Sequence, residues 1–448
     1  MQTAFTPEQL ADPEFAASHA AIRKCVHCGF CLATCPTYVL LGDERDSPRG
    51  RIELIKAMLE DGGAPSRETV THIDRCLSCL ACKTTCPSGV DYAQLIDHGR
   101  AHIEATYRRP LPERLLRALI PAVLTRPARL RAALALGRFA QPLEPVLRAV
   151  KFSSLAALLR LVPSPLRGGG GGGGASSSSH GKRSADSPTP NPLPAGGREL
   201  SYPAQAKARG RVALLQGCVE PAMAPSIREA AIRLLTRAGF EVVLAEGEGC
   251  CGALSEHLGR ADEASDFARA NVGAWTKAGP FDAIITTAAG CGTAIKAYGH
   301  RLPGDADAAR AANQARDILE FLGDVGLPPV TDPQALVVAY HAACSLQHGQ
   351  EVKAAPARLL AEAGFEVRQV AEGHLCCGSA GVYNILQPTL ATQLRDRKAA
   401  NIARTGAVVV AAGNIGCIAQ LAPALATPII HPVELLDWAT GGPRPAGL

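Results

Sequence analysis

Eight of the sixteen cysteines fall in two copies of one pattern, and no other stretch limits the fold as much. "CVHCGFCLATCP" sets Cys25, Cys28, Cys31 and Cys35 before Pro36, and "CLSCLACKTTCP" repeats the spacing with Cys76, Cys79, Cys82 and Cys86 before Pro87. Three thiolates at two-residue intervals on a tight loop can wrap one face of an iron–sulfur cube, while the fourth sits past a turn and points elsewhere. In two-cluster ferredoxins that fourth cysteine ligates the other cluster. The expected sets are Cys25, Cys28, Cys31 and Cys86 for one [4Fe–4S] cluster, and Cys76, Cys79, Cys82 and Cys35 for the second. Pro36 and Pro87 are expected to enforce an extended departure of the chain after each crossing ligand. Structural zinc usually takes two C-x2-C pairs, and disulfides at these spacings would be strained. His27 reads as a surface residue, because the four-cysteine set is complete without it. Arg23, Lys24, Arg75 and Lys83 flank the runs and either offset cluster charge or are ordinary solvated charges. Two such clusters close together carry electrons and do no bond chemistry on an organic substrate by themselves.

The opening residues show no basic segment followed by an apolar run, so a reducing compartment is expected, where clustered cysteines hold metals more often than disulfides. With 448 residues the chain exceeds one ordinary core. The expected fold is α+β and multidomain. An α-helical bis-[4Fe–4S] ferredoxin-type domain occupies residues 1–110, a basic helical connector 111–166 and a disordered linker 167–203. Two repeated α/β cysteine-rich units follow, over 204–330 and 331–448. Between the cysteine runs, "DSPRGRIELIKAMLEDGG" predicts a helix capped by Ser47, opened by Pro48 and ended by Gly62 and Gly63. Ile52, Leu54, Ile55, Met58 and Leu59 form its apolar face. The linker centres on the Gly/Ser/Pro run at 167–197, which cannot bury enough apolar surface to offset chain entropy.

From Arg100 to Arg167 there are 13 Lys plus Arg against 3 Glu. That excess points to an anionic surface, either membrane headgroups or an acidic partner. Nucleic acid is not expected as a partner, since aromatic residues are only 4 % of the chain and no recognised binding module appears. No run of about 18 apolar residues predicts a transmembrane helix. The expected location is cytoplasmic, with peripheral placement on the inner face of the cytoplasmic membrane as an extension.

Beyond residue 210, short apolar runs ("RVALLQGC", "EVVLAE", "DAIITTAAG") alternate with helix-like segments, which predicts parallel α/β structure. This half is duplicated. Cys218 to Cys250 spans 32 positions, as does Cys344 to Cys376; Cys251 to Cys291 spans 40, as does Cys377 to Cys417. Each cysteine of one copy recurs 126 positions later. Four thiols from the ends of successive strands can converge at one edge of a parallel sheet, where ligands usually bind. Cys218, Cys250, Cys251 and Cys291, and likewise Cys344, Cys376, Cys377 and Cys417, are candidate further metal or cluster sites. A redox thiol pair at Cys250–Cys251 or Cys376–Cys377, or structural zinc, are the alternatives. The glycine after each vicinal pair is expected to permit close backbone approach to a bulky ligand. His341, His348 and His374 lie near the second set as candidate substitute ligands.

The duplicated half resembles the CCG cysteine-rich domain of heterodisulfide reductase subunits and their relatives. Ala288 and Asn414 stand where that family's pattern has the first cysteine of a terminal CxxC, so each repeat is one ligand short of the set implied for the paired clusters of those reductases. The whole order resembles the iron–sulfur subunit of bacterial glycolate oxidase: the double C-x2-C-x2-C-x3-C-P module, "RDSPRGRIELIKAML", a basic connector, and two CCG repeats with "AAGCGTAIKAYGH" and "AAGNIGC". The resemblance implies an electron-transfer subunit with no catalytic residue of its own. Flavin-containing partner subunits would oxidise glycolate to glyoxylate, and quinone or another membrane acceptor would receive the electrons. No flavin is expected in this chain, because no G-x-G-x-x-G opens a helix after a strand. The alternatives are the iron–sulfur subunit of a lactate or anaerobic glycerol-3-phosphate dehydrogenase, a heterodisulfide-reductase-like thiol enzyme, and a zinc-binding scaffold.

Overall fold

In the N-terminal part, helix starts are written in Pro and small polar caps. A computed structural model describes residues 1–140 and 199–448. The helices are α1 (Pro7–Leu10), α2 (Pro13–Lys24), α3 (Pro36–Leu41), α4 (Pro48–Asp61), α5 (Arg67–Asp74), α6 (Ala81–Thr85) and α7 (Tyr92–Thr106). Asp12, Ser47 and Ser66 each cap a helix by accepting from a first-turn backbone N–H. Helix α4 matches its expected bounds, ending where Gly62 turns left-handed at φ 71°. Ile52, Ile55, Met58 and Leu59 are buried against Ile22, Ile73, Leu95 and Ile96, and Leu54 is only partly covered. Cys35 is extended, as the residue before a proline should be. Pro36, however, opens α3 instead of prolonging the extension, because its missing N–H falls where a helix has no use for one.

The connector begins as α8 (Leu111–Leu124), with Pro121 inside it, and α9 (Pro127–Ala140). The expected helix over 141–166 and the Gly/Ser/Pro run lie outside the described residues. Part of the basic excess is internal. Arg109 and Arg117 are buried on Asp74, at 2.6 and 2.9 Å, and buried Arg100 donates to Cys76 O at 2.6 Å.

The second half forms two sheets of equivalent order. Strands β1 (Leu200–Tyr202), β2 (Gly210–Leu214), β3 (Phe240–Leu244), β4 (Ala283–Thr286) and β5 (Ala315–Asp317) lie in the order β1-β3-β2-β4-β5, parallel except for β1. Strands β6 (Val337–His341), β7 (Glu366–Gln369), β8 (Val409–Ala412) and β9 (Ile429–Ile430) lie in the order β7-β6-β8-β9, all parallel. The duplication is thus a repeat of βα units. Residues 200–202, expected to end the linker, instead pair with β3 as an antiparallel edge. The two sheets share one apolar core. Polar ties cross between them: buried Asp437 receives Arg233 at 2.6 Å and Arg237 at 2.5 Å, and His431 Nε2 lies 2.8 Å from Thr287 O.

Candidate metal centres

Each N-terminal cysteine run is curled by two left-handed residues. His27 (φ 56°) and Gly29 (φ 82°) stand two and four positions after Cys25, and Ser78 (φ 48°) and Leu80 (φ 60°) stand likewise after Cys76. Leu80 accepts a backbone that costs an L-residue on the order of 1–2 kcal/mol. At Gly29 a Cβ would also stand in tight contact, 3.0 Å, with Arg49 Nη1. So curled, Cys25, Cys28, Cys31 and Cys86 line one small cavity. Cys35, Cys76, Cys79 and Cys82 line a second, and Cys82 also borders the first.

All sixteen cysteines are free thiols. Burial pushes Cys31 up to about 11 and holds Cys79 and Cys82 well above the ordinary thiol range. In the second set four convergent, buried sulfurs suit a thiophilic metal, which exchanges protons for metal–sulfur bonds; in the first set Cys25 is buried, Cys31 and Cys86 are half-buried and Cys28 is exposed. Backbone N–H groups already point at sulfur, as Ser78 N does at Cys76 Sγ (3.4 Å).

The motif "DSPRGRI" surrounds these cavities, although only its helix-capping role was readable beforehand. Arg49 donates to His27 O at 3.1 Å, pinning the first loop, and is itself held by Glu44 at 2.5 Å. Arg51 is 1 % exposed, with Nη1 3.8 Å from Cys35 Sγ. It also donates to His72 O (2.7 Å), Thr37 Oγ1 (3.0 Å) and Asp46 Oδ1 (3.2 Å). Asp46 is fully buried and also receives Arg75 at 2.9 Å. Arg75 is therefore a structural partner and not a free surface charge. Gly50 is obligatory because a Cβ would stand 2.1 Å from Glu44 O.

In the repeats, every cysteine follows the carboxyl end of a parallel strand. Cys344 Sγ lies 3.7 Å from Cys376 Sγ, and Cys377 Sγ lies 3.3 Å from Cys417 Sγ. These separations far exceed a disulfide bond and approach the ~3.8 Å between two sulfurs on one tetrahedral metal. In the first repeat Cys218 acts on Cys250 and Cys291 on Cys251, and Cys251 is pushed up to about 12, chiefly by Cys250. Both sets open onto one cavity of about 420 Å³ that also touches Ala288 and Asn414. Leu116, Leu119 and Ile120 of α8, with Leu130 and Leu134 of α9, wall it in. Sequence reasoning kept the two sets apart; only packing brings them to a common space. Asn414 stands at the missing cysteine's place and donates to Cys417 Sγ at 3.5 Å.

The glycine of each Cys-Cys-Gly serves packing of the fold. Gly252 and Gly378 both have φ 87°, and a Cβ would meet Ala264 O at 2.9 Å and Ala391 O at 2.5 Å, so it is a helix that approaches them. Gly378→Ala is expected to destabilise the protein by on the order of 3 kcal/mol, combining strain and clash. A lower melting temperature by calorimetry checks this. Of the three histidines, His348 pairs with Thr84 Oγ1 at 2.7 Å and lies 3.2 Å from His374 O, while His374 is exposed. Neither faces the thiols as a free ligand, whereas His341 lies beside Cys377 and Cys417.

The second N-terminal cavity abuts the second repeat. The neighbouring Cys344 adds to burial in raising Cys79, and Cys79 in turn acts on Cys376. Leu77, Cys79 and Ala81 are buried in the same core as the sheets.

Comparison with known proteins adds two family matches. Residues 21–90 match the 4Fe-4S dicluster domain, and residues 212–296 and 338–422 match the cysteine-rich domain. The chain is 38 % identical over 445 residues to the glycolate oxidase iron-sulfur subunit of Escherichia coli (strain K12), covering 98 % of this chain and 99 % of that protein. It is 31 % identical over 411 residues to the probable glycolate oxidase iron-sulfur subunit of Bacillus subtilis (strain 168), covering 89 % and 88 %. Lactate utilization protein A of Geobacillus kaustophilus (strain HTA426) is 27 % identical over 240 residues, 51 % of this chain.

Proposed function

The chain belongs to the family of glycolate oxidase iron–sulfur subunits, and from that premise we propose that it carries electrons from flavin-containing partner subunits, which oxidise glycolate to glyoxylate, to a membrane acceptor such as quinone. Two [4Fe–4S] clusters, when bound, supply one-electron transfer. Cys25, Cys28, Cys31 and Cys86 are assigned to the first and Cys76, Cys79, Cys82 and Cys35 to the second. The observation that carries this reading is the adjacency of the sulfur sites: Cys82 borders both N-terminal cavities, and Cys79 neighbours Cys344 and Cys376. The protein's own work is to hold these thiols close, shield those of the second set from water and place positive groups such as Arg51 beside them. Glycolate is favoured over lactate as the source of electrons, since the glycolate relatives match along nearly the whole chain and the lactate one along half.

The membrane acceptor draws support from the connector. Leu111, Leu115 and Leu119 are 56–70 % exposed along one stripe of α8, and Arg108, Arg114, Arg126, Arg129 and Arg131 of the same segment are exposed as well. An exposed apolar stripe in an arginine-rich segment complements an anionic lipid surface. Leu119 also lines the shared cavity, so this face adjoins the repeats' thiols. No helix among the described residues is long and apolar enough to cross a membrane.

Co-expression with flavoprotein subunits tests the function. The anaerobically purified complex is expected to reduce dye with glycolate, and omission of this chain is expected to lower transfer to quinone by at least ~100-fold, as loss of a required relay should. Quinone reduction that persists without the chain would refute the reading.

A further inference from the structure

The two cysteine-rich repeats correspond at a shift of 126 positions, so the places where they differ next to the thiols are informative. Leu215 of the first repeat corresponds to His341, Val272 to Lys398 and Ala288 to Asn414. Two apolar side chains of the first repeat are therefore nitrogen bases in the second.

His341 ends β6 and is 1 % exposed. Neither ring nitrogen has a hydrogen-bond partner. One of them lies with Cys377 Sγ and Cys417 Sγ in a buried triad whose ligand atoms are all within 4.8 Å of one another. Buried polar groups in native folds are almost always satisfied, so an orphaned imidazole facing two thiols is the signature of a partner supplied by something other than the chain. The imidazole cannot be the packing residue that His348 is, since His348 has partners on both nitrogens.

Lys398 gives the second observation. It is 2 % exposed, its Nζ donates to Glu372 O at 2.6 Å, and no carboxylate lies within ion-pair distance of it among the described residues. The acidic groups that act on it are Cys377, Cys376, Glu372 and Cys344. A buried ammonium needs compensating negative charge, and thiolates ligating a metal supply it.

We propose that His341 donates a nitrogen ligand to an iron–sulfur centre in the second cysteine-rich repeat, completing a mixed imidazole–thiolate set with Cys344, Cys376, Cys377 and Cys417, while the first repeat offers thiolates alone. This rests on the reading that the repeats hold iron–sulfur centres. The 3.3 and 3.7 Å sulfur separations fit shared metal ligation, and imidazole and thiolate together suit iron as well as zinc, which the spectrum and the iron analysis separate. Both repeats supply four thiolates and the imidazole adds no charge, whereas Lys398 brings a cation where the first repeat has Val272. A nearby cation favours the reduced, more negative state, so the second repeat is the more oxidising of the two, and it is the one that Cys79 abuts.

The test uses the full chain, labelled with 15N at histidine only and purified anaerobically, with pulsed electron paramagnetic resonance at potentials where each centre is paramagnetic. A 15N hyperfine coupling is expected in one signal. It should vanish in His341→Leu, which copies the first repeat, and persist in His374→Gln. Cys377→Ser should lower bound iron and remove the same signal. A wild-type chain without 15N coupling, a coupling that survives His341→Leu, or iron unchanged in Cys377→Ser would each overturn the proposal. If His341→Leu does not fold, the wild-type spectrum still decides. Failure here leaves the two N-terminal cluster signals intact, whereas failure of the electron-carrier reading would remove those instead.

Discussion

A Cys35→Ser chain is expected to lose the cluster assigned to the second cysteine run, although Cys35 lies in the first. The reciprocal Cys86→Ser chain should lose the other. Cys35 lines the cavity of Cys76, Cys79 and Cys82, and Cys86 lines that of Cys25, Cys28 and Cys31. Each variant should lose about four irons and the signal of one cluster, and electron flow through the subunit should fall at least ~100-fold, since a relay fails at any missing step. Anaerobic iron and sulfide analysis with electron paramagnetic resonance checks this. To separate the two signals, Cys76→Ser serves as the reference: Cys35→Ser should match it, and Cys28→Ser should match Cys86→Ser. A Cys35→Ser spectrum that matches Cys28→Ser would sink the crossed assignment.

Arg51→Met is expected to make the cluster beside Cys35 harder to reduce. The guanidinium is 1 % exposed, with Nη1 3.8 Å from Cys35 Sγ. Reduction adds negative charge, which a nearby cation favours, so its removal lowers the potential. A unit charge roughly 6 Å away at an effective dielectric of about 20 contributes on the order of 3 kcal/mol, or about 100 mV for one electron. Arg51→Lys should restore most of this shift while losing part of the bonding that Nη2 gives to Thr37 and Asp46 and Nε gives to His72 O. Breaking the buried Arg51–Asp46 pair should also cost roughly 3–5 kcal/mol of stability, softened because Asp46 keeps Arg75 and His72. Potentiometric titration checks the first effect and thermal denaturation the second. A potential unchanged in Arg51→Met would show that the charge is screened from the cluster.

How much could be read in advance differs from element to element. Helix α4 was legible to its caps, since Ser47, Pro48 and Gly62 act within a turn of the residues they terminate. The duplicated sheets were legible because strand and helix periodicities recur at a fixed shift, and the observed strand orders are equivalent. Strand β1 was hidden, because "LSY" carries no pattern of its own and gains its partner only across the sheet from β3. The buried arginines were hidden for a related reason. Arg51, Arg100, Arg109 and Arg117 look like solvated charge in the sequence, and their burial depends on Asp46, Asp74 and backbone carbonyls brought in from elsewhere in the chain. At the glycines of the Cys-Cys-Gly pairs the close approach expected from the sequence is that of a helix, since the carbonyls of Ala264 and Ala391 come from over ten residues away, and the glycines' left-handed backbone is legible only in the fold.

By itself, then, the order of residues determined the local devices: two thiol-bearing loops with their spacing, the capped helix between them, and a duplicated βα unit with cysteines past the strand ends. Those depend on contacts within a few residues or on simple recurrence, which a linear text displays. Folding in three dimensions alone decided that the eight thiols of the repeats face one common cavity, that leucines of α8 and α9 close it, and that His341 stands unbonded beside Cys377 and Cys417. Such outcomes arise from packing between segments as far apart as Thr84 and His348, where burial and shape, not neighbouring residues, set which groups meet.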